Sequence, residues 1–130
     1  DENGPVPTPD GLEMTKNGWE YYPQSLGKAA AKTWELGEHT PLVVTENGLA
    51  TDDDRQRIRY TTSALQALHE VMEGGADVRG YIHWSLLDNY EWGSYDPTFG
   101  LIAVNRTTFE RQPKPSLNWL GSIQREGLTI

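Results

Sequence analysis

An α/β fold of parallel strands joined by helical crossovers is the architecture this sequence predicts, on three observations. Short apolar runs at 42–46 and about 78–84 lack clean polar–apolar alternation, so strands buried on both faces are expected. Helical periodicity precedes, separates and follows them, giving the helix, strand, helix, strand, helix order of a parallel sheet. Turn signals at Gly37, Asn47-Gly48 and Gly74-Gly75 fall between these segments.

Taken in order, residues 1–18 are rich in Pro, Gly, Asn and Asp and read as loop. Pro23 suits a first helical position, where its missing N–H has no intrahelical partner to lose. Leu26, Ala29, Ala30 and Trp34 follow at helical spacing, and Gly37 is the expected stop. The first strand then runs from Leu42 and ends on Thr45, Glu46 and an Asn-Gly turn. Asp52, Asp53 and Asp54 crowd the next helix start, where negative charge meets the positive end of the helix dipole. Ile58, Thr62, Leu65, Leu68 and Met72 supply its apolar stripe. The second strand follows, then a small hairpin between Gly100 and Arg111, then a short helix near Ser116 to Gln124.

The totals narrow the function. At 130 residues, 36% of them apolar, the chain is long enough for one domain and too apolar to be disordered. A net charge of −8 disfavours nucleic acid and anionic membranes, which select basic patches. No run reaches the roughly eighteen apolar residues of a membrane helix. With no cysteine, disulfides and thiolate-bound metal are excluded. His39, His69 and His83 fall on different elements without ligand spacing, so neither metal nor other cofactor is expected. Five tryptophans and six tyrosines against two phenylalanines favour rings with a polar edge, suited to flat, hydroxylated ligands or to buried interfaces.

Two parallel strands are too few for a stable sheet, and both would have unpaired, apolar edges. The expectation is therefore a fragment of a larger α/β protein. In such folds, chemistry gathers at the carboxyl ends of the strands. Glu46 ends the first strand. Trp84 ends the second and leads into a loop bearing Asp88, Glu91, Trp92, Tyr95 and Phe99. Carboxylates among aromatic rings suit a sugar, whose apolar faces lie on rings while its hydroxyls bond to carboxylates, and glycosidases need two carboxyl groups flanking the scissile bond. Position alone leaves Glu46 as readily a solvated loop residue, and Trp84 and Trp92 as readily core.

The stretches GWEYYPQSL, PLVVTENGLA, RGYIHWSLLDNYEWGSYDPTFGL and RQPKPSLNW remove that ambiguity. In order and spacing, over residues 14 to 124, the chain resembles the C-terminal part of the β-glucosidases of glycoside hydrolase family 1. The resemblance implies a (β/α)8 TIM barrel, of which 1–130 would be the C-terminal segment, with 1–18 as loop and 19–130 as the last two β/α units. It implies that Glu46 is the nucleophile of a retaining β-glucosidase, forming a covalent glycosyl-enzyme. It further implies Trp84, Glu91, Trp92 and Phe99 as residues around the terminal glucose, with a cis peptide between Trp84 and Ser85. The implied substrates are unphosphorylated β-glucosides or cello-oligosaccharides, because the Glu91 carboxylate would repel a 6-phosphate.

The family's acid/base glutamate, in an Asn-Glu-Pro motif, is absent from these 130 residues. The expected partner is therefore the remaining N-terminal part of the barrel, without which the chain is expected to be inactive. The alternative is a stand-alone or inactive fragment acting at most as a sugar-binding module. No basic-then-apolar leader is visible, and the cytoplasm is the expected compartment.

Overall fold

The computed structural model describes residues 11–126, so most of the N-terminal loop expected over 1–18 lies outside the described residues. The elements are α1 (Ser25–Leu36), β1 (Leu42–Asn47), α2 (Asp54–Glu73), β2 (Val78–His83), β3 (Ile102–Val104), β4 (Arg111–Pro113) and α3 (Pro115–Glu126). Strands β1 and β2 pair in parallel through the α2 crossover, and β3 and β4 form an antiparallel hairpin whose second strand falls just past the expected span of 100–111. Among the described residues, β1 and β2 pair only with each other, leaving one edge of each strand open.

Local chemistry accounts for most boundaries. Asp53 caps α2, accepting a hydrogen bond from the Arg55 N–H at 3.0 Å. Gly37 closes α1, its N–H returning to the Thr33 carbonyl. Gly74 and Gly75 end α2, with Gly75 at φ +103°, a conformation without steric penalty only for glycine. Pro23, however, sits in the turn before α1, and its carbonyl accepts from Leu26 N–H. The helix begins two residues later because that turn is still closing.

Helices α1 and α2 pack closely at Gly27, where any Cβ would lie 2.6 Å from the Ala67 carbonyl oxygen. Between the helices and the loop after β1 lies a small core of Leu49, Tyr60 and Ala64, flanked by Tyr21 and Leu26. The Tyr21 and Tyr60 rings meet edge to face at 5.4 Å. The buried face of α2 is Arg57, Tyr60, Thr61, Ala64 and Leu68. It is turned about one residue from the expected stripe of Ile58, Thr62, Leu65, Leu68 and Met72, and Met72 is exposed. Arg57, buried in the first turn, lies on this face, where its side chain bonds to the carbonyls of the loops after β1 and β2.

Burial of β1 and β2 on both faces is not what the structure shows. Tyr81 faces α2 beside Tyr60 and Thr61, and its partner across the sheet is Val44. The opposite face of the pair is bare, with Val43 53% and Ile82 56% exposed. The apolar residues are there, but no layer among the described residues covers them. Among the described residues the β1–β2 pair has one bare face and two open edges, the shape expected of a sector cut from a larger parallel β/α sheet.

Candidate active site

A cleft of about 650 Å³ opens at the carboxyl ends of β1 and β2. It is lined by Trp19, Glu46, Asn47, Gly48, Trp84 and Phe99, together with Asn89, Tyr90, Glu91 and Trp92 of the loop after β2. All five residues expected to form a sugar site therefore share one cavity wall.

Glu46 reaches that wall through an irregularity in β1. Val44 pairs with Tyr81 and Asn47 with His83, so β1 spends three residue steps where β2 spends two. Strict alternation would send Glu46 to the helix-covered face with Val44. The extra residue re-aims it to the open side. Its neighbour Asn47 is held from the other face, where Tyr81 Oη donates to Asn47 Oδ1 at 3.0 Å. Burial pushes the Tyr81 phenol well above its ordinary pKa, so it stays a proton donor.

Behind Glu46 the two strand ends nearly touch. Trp84 N–H donates to the Asn47 carbonyl at 2.8 Å, and a Cβ on Gly48 would lie 1.9 Å from the Trp84 carbonyl oxygen. Only glycine permits that approach. The peptide between Trp84 and Ser85 is cis, as expected.

Trp84 donates its indole N–H to Glu91 Oε1 at 3.0 Å. Glu91 is buried in its loop and leaves its second carboxylate oxygen for another partner. A tight turn over 91–94 is closed by reciprocal backbone bonds, Glu91 N–H to Ser94 O at 2.7 Å and Ser94 N–H to Glu91 O at 3.1 Å. The turn holds Trp92 at φ +46°, a left-handed conformation costing about 1 kcal/mol for a residue with a Cβ, and leaves its indole 98% exposed. Phe99 is the counterpoint, buried and in tilted contact with Trp19 at 6.4 Å between centroids.

Two largely buried ion pairs, Arg57–Asp54 and Lys114–Asp88, brace the cleft from behind, and neither pairing was evident from the sequence. Arg57, 1% exposed, uses all five guanidinium donors. Nε bonds to Asp54 Oδ1 at 3.0 Å, Nη1 to the Leu49 and Phe99 carbonyls at 3.0 Å each, and Nη2 to the Thr51 and Thr98 carbonyls at 2.9 and 3.1 Å. Asp54 also accepts from Ser116 N–H at 2.8 Å and Ser116 Oγ at 2.7 Å at the start of α3. Burial would raise the Asp54 carboxyl, but the Ser116 bonds and Arg57 outweigh it and hold its pKa below the ordinary value. Lys114 Nζ donates to Asp88 Oδ1 at 2.9 Å and to the Gly100 carbonyl at 2.8 Å. Burial draws the Lys114 ammonium down despite that hydrogen bond.

Trp19 was visible in the sequence only as part of a longer match. Nothing in a loop tryptophan announces that the chain will fold it over a cleft formed some thirty residues later. The signal for Arg57 was subtler: an arginine in the first turn of an amphipathic helix, one position before the first apolar residue of its stripe.

The sequence profile of glycosyl hydrolase family 1 matches residues 6–127. A β-galactosidase of Saccharolobus solfataricus is 44% identical over 107 residues, which cover 82% of this chain and 22% of the relative. The thermostable β-glucosidase B of Thermobispora bispora is 43% identical over 96 residues, covering 67% and 20%. Among solved structures, an apo β-glucosidase superposes with a TM-score of 0.88 at 46% identity, covering 95% of this chain and 31% of that one. The chain thus spans about a fifth of the length of these curated relatives.

Proposed function

Because the chain belongs to glycosyl hydrolase family 1, we propose that its cleft is one wall of a retaining β-glucosidase site whose nucleophile is Glu46. The observation supporting this is the meeting of Glu46 with the Trp84–Glu91 pair in one cleft at the carboxyl ends of two parallel strands. A glucose lying on the Trp84 and Trp92 rings would offer its outer hydroxyls to Glu91 and its anomeric carbon to Glu46.

In the first step, a Glu46 carboxylate oxygen bonds to the anomeric carbon as the bond to the leaving oxygen breaks. That oxygen takes a proton from an acid outside these 130 residues. In the second, water attacks the same carbon, the acid's conjugate base takes its proton, and Glu46 leaves as carboxylate. Two inversions give net retention. Terminal, unphosphorylated β-D-glucosyl groups fit best, since the second Glu91 oxygen accepts from a hydroxyl and repels a phosphate.

The test uses the barrel assembled from this chain and the six preceding β/α units of a 44%-identical relative. Proton NMR of the first-formed product from an aryl β-glucoside should show β-glucose before mutarotation. α-Glucose formed first would rule out a nucleophilic Glu46.

A further inference from the structure

Resting on that reading, we propose that Arg57 is a positioning residue that fixes the nucleophile's strand against the sugar-gripping loop. It touches no substrate; it acts through four backbone carbonyls. Two belong to the segment just after Glu46, Leu49 and Thr51. The other two, Thr98 and Phe99, close the loop that begins at Trp84.

Each loop has its own internal supports. The loop after β2 keeps the Trp84–Glu91 bond, the 91–94 turn and the Asp88–Lys114 pair. The segment after β1 is anchored at Asn47 by Tyr81 and by Trp84 N–H. The two loops are also joined by Thr51 N–H to the Thr98 carbonyl at 3.2 Å and by Thr98 Oγ, which lies 2.9 Å from the Thr51 carbonyl and 3.2 Å from Asp52 Oδ1. At the surface, Lys16 Nζ bridges Asp52 and Asp96 at 2.8 and 3.1 Å. Arg57 adds a rigid planar fork whose two terminal nitrogens each bridge one carbonyl from each loop, and Leu49 O has no other partner in this network. A flexible ammonium has three donors and cannot reproduce that geometry.

The fork is itself held. Asp54 takes Nε from one side and the N-terminus of α3 from the other, so the clamp is tied to two helices. This arrangement sets the distance between loops more than the shape of either. Sugar binding depends mostly on the loop after β2, whereas attack needs the anomeric carbon within reach of Glu46. Misplacement of a reacting group by about 1 Å can reduce rate about a hundredfold. Loosening the fork should therefore slow chemistry while leaving affinity nearly intact.

The experiment compares parent and Arg57→Lys in the assembled barrel, with Asp54→Asn as a milder second variant that keeps the guanidinium. Expected are a fall in kcat of ten- to a hundredfold for Arg57→Lys and of a few-fold for Asp54→Asn. KM and the Ki for glucose should stay within about twofold. The rate of trapping by a 2-deoxy-2-fluoro glucoside should fall in parallel with kcat. Unchanged kcat and trapping in both variants overturns the clamp. So does a loss in which KM and Ki rise as much as kcat falls, since that is general loosening of the site. If Arg57→Lys does not fold, Asp54→Asn decides by the same criteria. Trapping on a residue other than Glu46 in the parent would instead sink the nucleophile assignment, independently of how Arg57→Lys behaves.

Discussion

Trp84 and Glu91, seven residues apart, are joined by an indole N–H to carboxylate bond of 3.0 Å that folds the loop after β2 back over the cleft. The bond orients the carboxylate in advance of any ligand. Trp84→Phe keeps the ring but frees Glu91. A hydrogen bond to a charged group is worth about 1.5–3 kcal/mol, so kcat/KM for an aryl β-glucoside should fall at least tenfold. Steady-state kinetics on the assembled barrel checks this, and a change under twofold would show that Glu91 needs no such partner.

Gly48 is where the two strand ends come closest, and Gly48→Ala places a methyl 1.9 Å from the Trp84 carbonyl oxygen. Backbone must move on one side or the other, taking Glu46 or Trp84 with it. The expected result is a loss of roughly a hundredfold in kcat, the scale of a 1 Å displacement of a reacting group. Retention of full activity would mean the strand ends have more freedom than this contact allows.

The Asp88–Lys114 pair, with side chains 7% and 17% exposed, anchors the same loop to the connection between β4 and α3. Lys114→Met leaves a buried carboxylate whose remaining partner is the Gly100 N–H at 2.8 Å. Removing one member of a buried pair costs about 3–5 kcal/mol, and denaturant unfolding should register a loss near the lower figure. Adding Asp88→Asn should restore part of it, because no buried charge then remains.

His83 gives the stability a pH dependence. Burial first, then the nearby Arg57 charge, lowers its pKa from 6.5 to about 4, so the folded chain holds the neutral ring. A folded-state pKa below the unfolded one contributes stability that is complete above pH 6.5 and is lost as pH falls toward 4. The shift corresponds to on the order of 3 kcal/mol. Asp52 and Asp54, held below 3.8, titrate under that window. Denaturation curves at pH 7 and pH 4.5 should therefore converge for parent and His83→Gln as the pH drops. Parallel curves would exclude His83 as the titrating group.

The order and type of the elements were legible because they follow from local patterning. Gly37, Asp53 and Gly74 sit at the helix ends where cap chemistry puts them, and β1 and β2 were placed within a residue. The burial of the strands was misread because apolarity records what a surface is built to face. The layer that would cover Val43 and Ile82 is not among the described residues. That Glu46, Trp84, Glu91, Trp92 and Phe99 would line one cleft was legible through the family resemblance. The bulge that turns Glu46 into the cleft was not, since register depends on β2 as well as β1. Arg57 stayed hidden for a related reason: its partners are carbonyls, and every residue has one.

Electrospray mass analysis of the assembled barrel after exposure to a 2-deoxy-2-fluoro β-glucoside addresses the central assignment most directly. The account predicts one fluoroglucosyl group per molecule, mapped by peptide fragmentation to Glu46 and absent from Glu46→Gln. A label on Glu91 or any other side chain, with Glu46 unmodified, would contradict it.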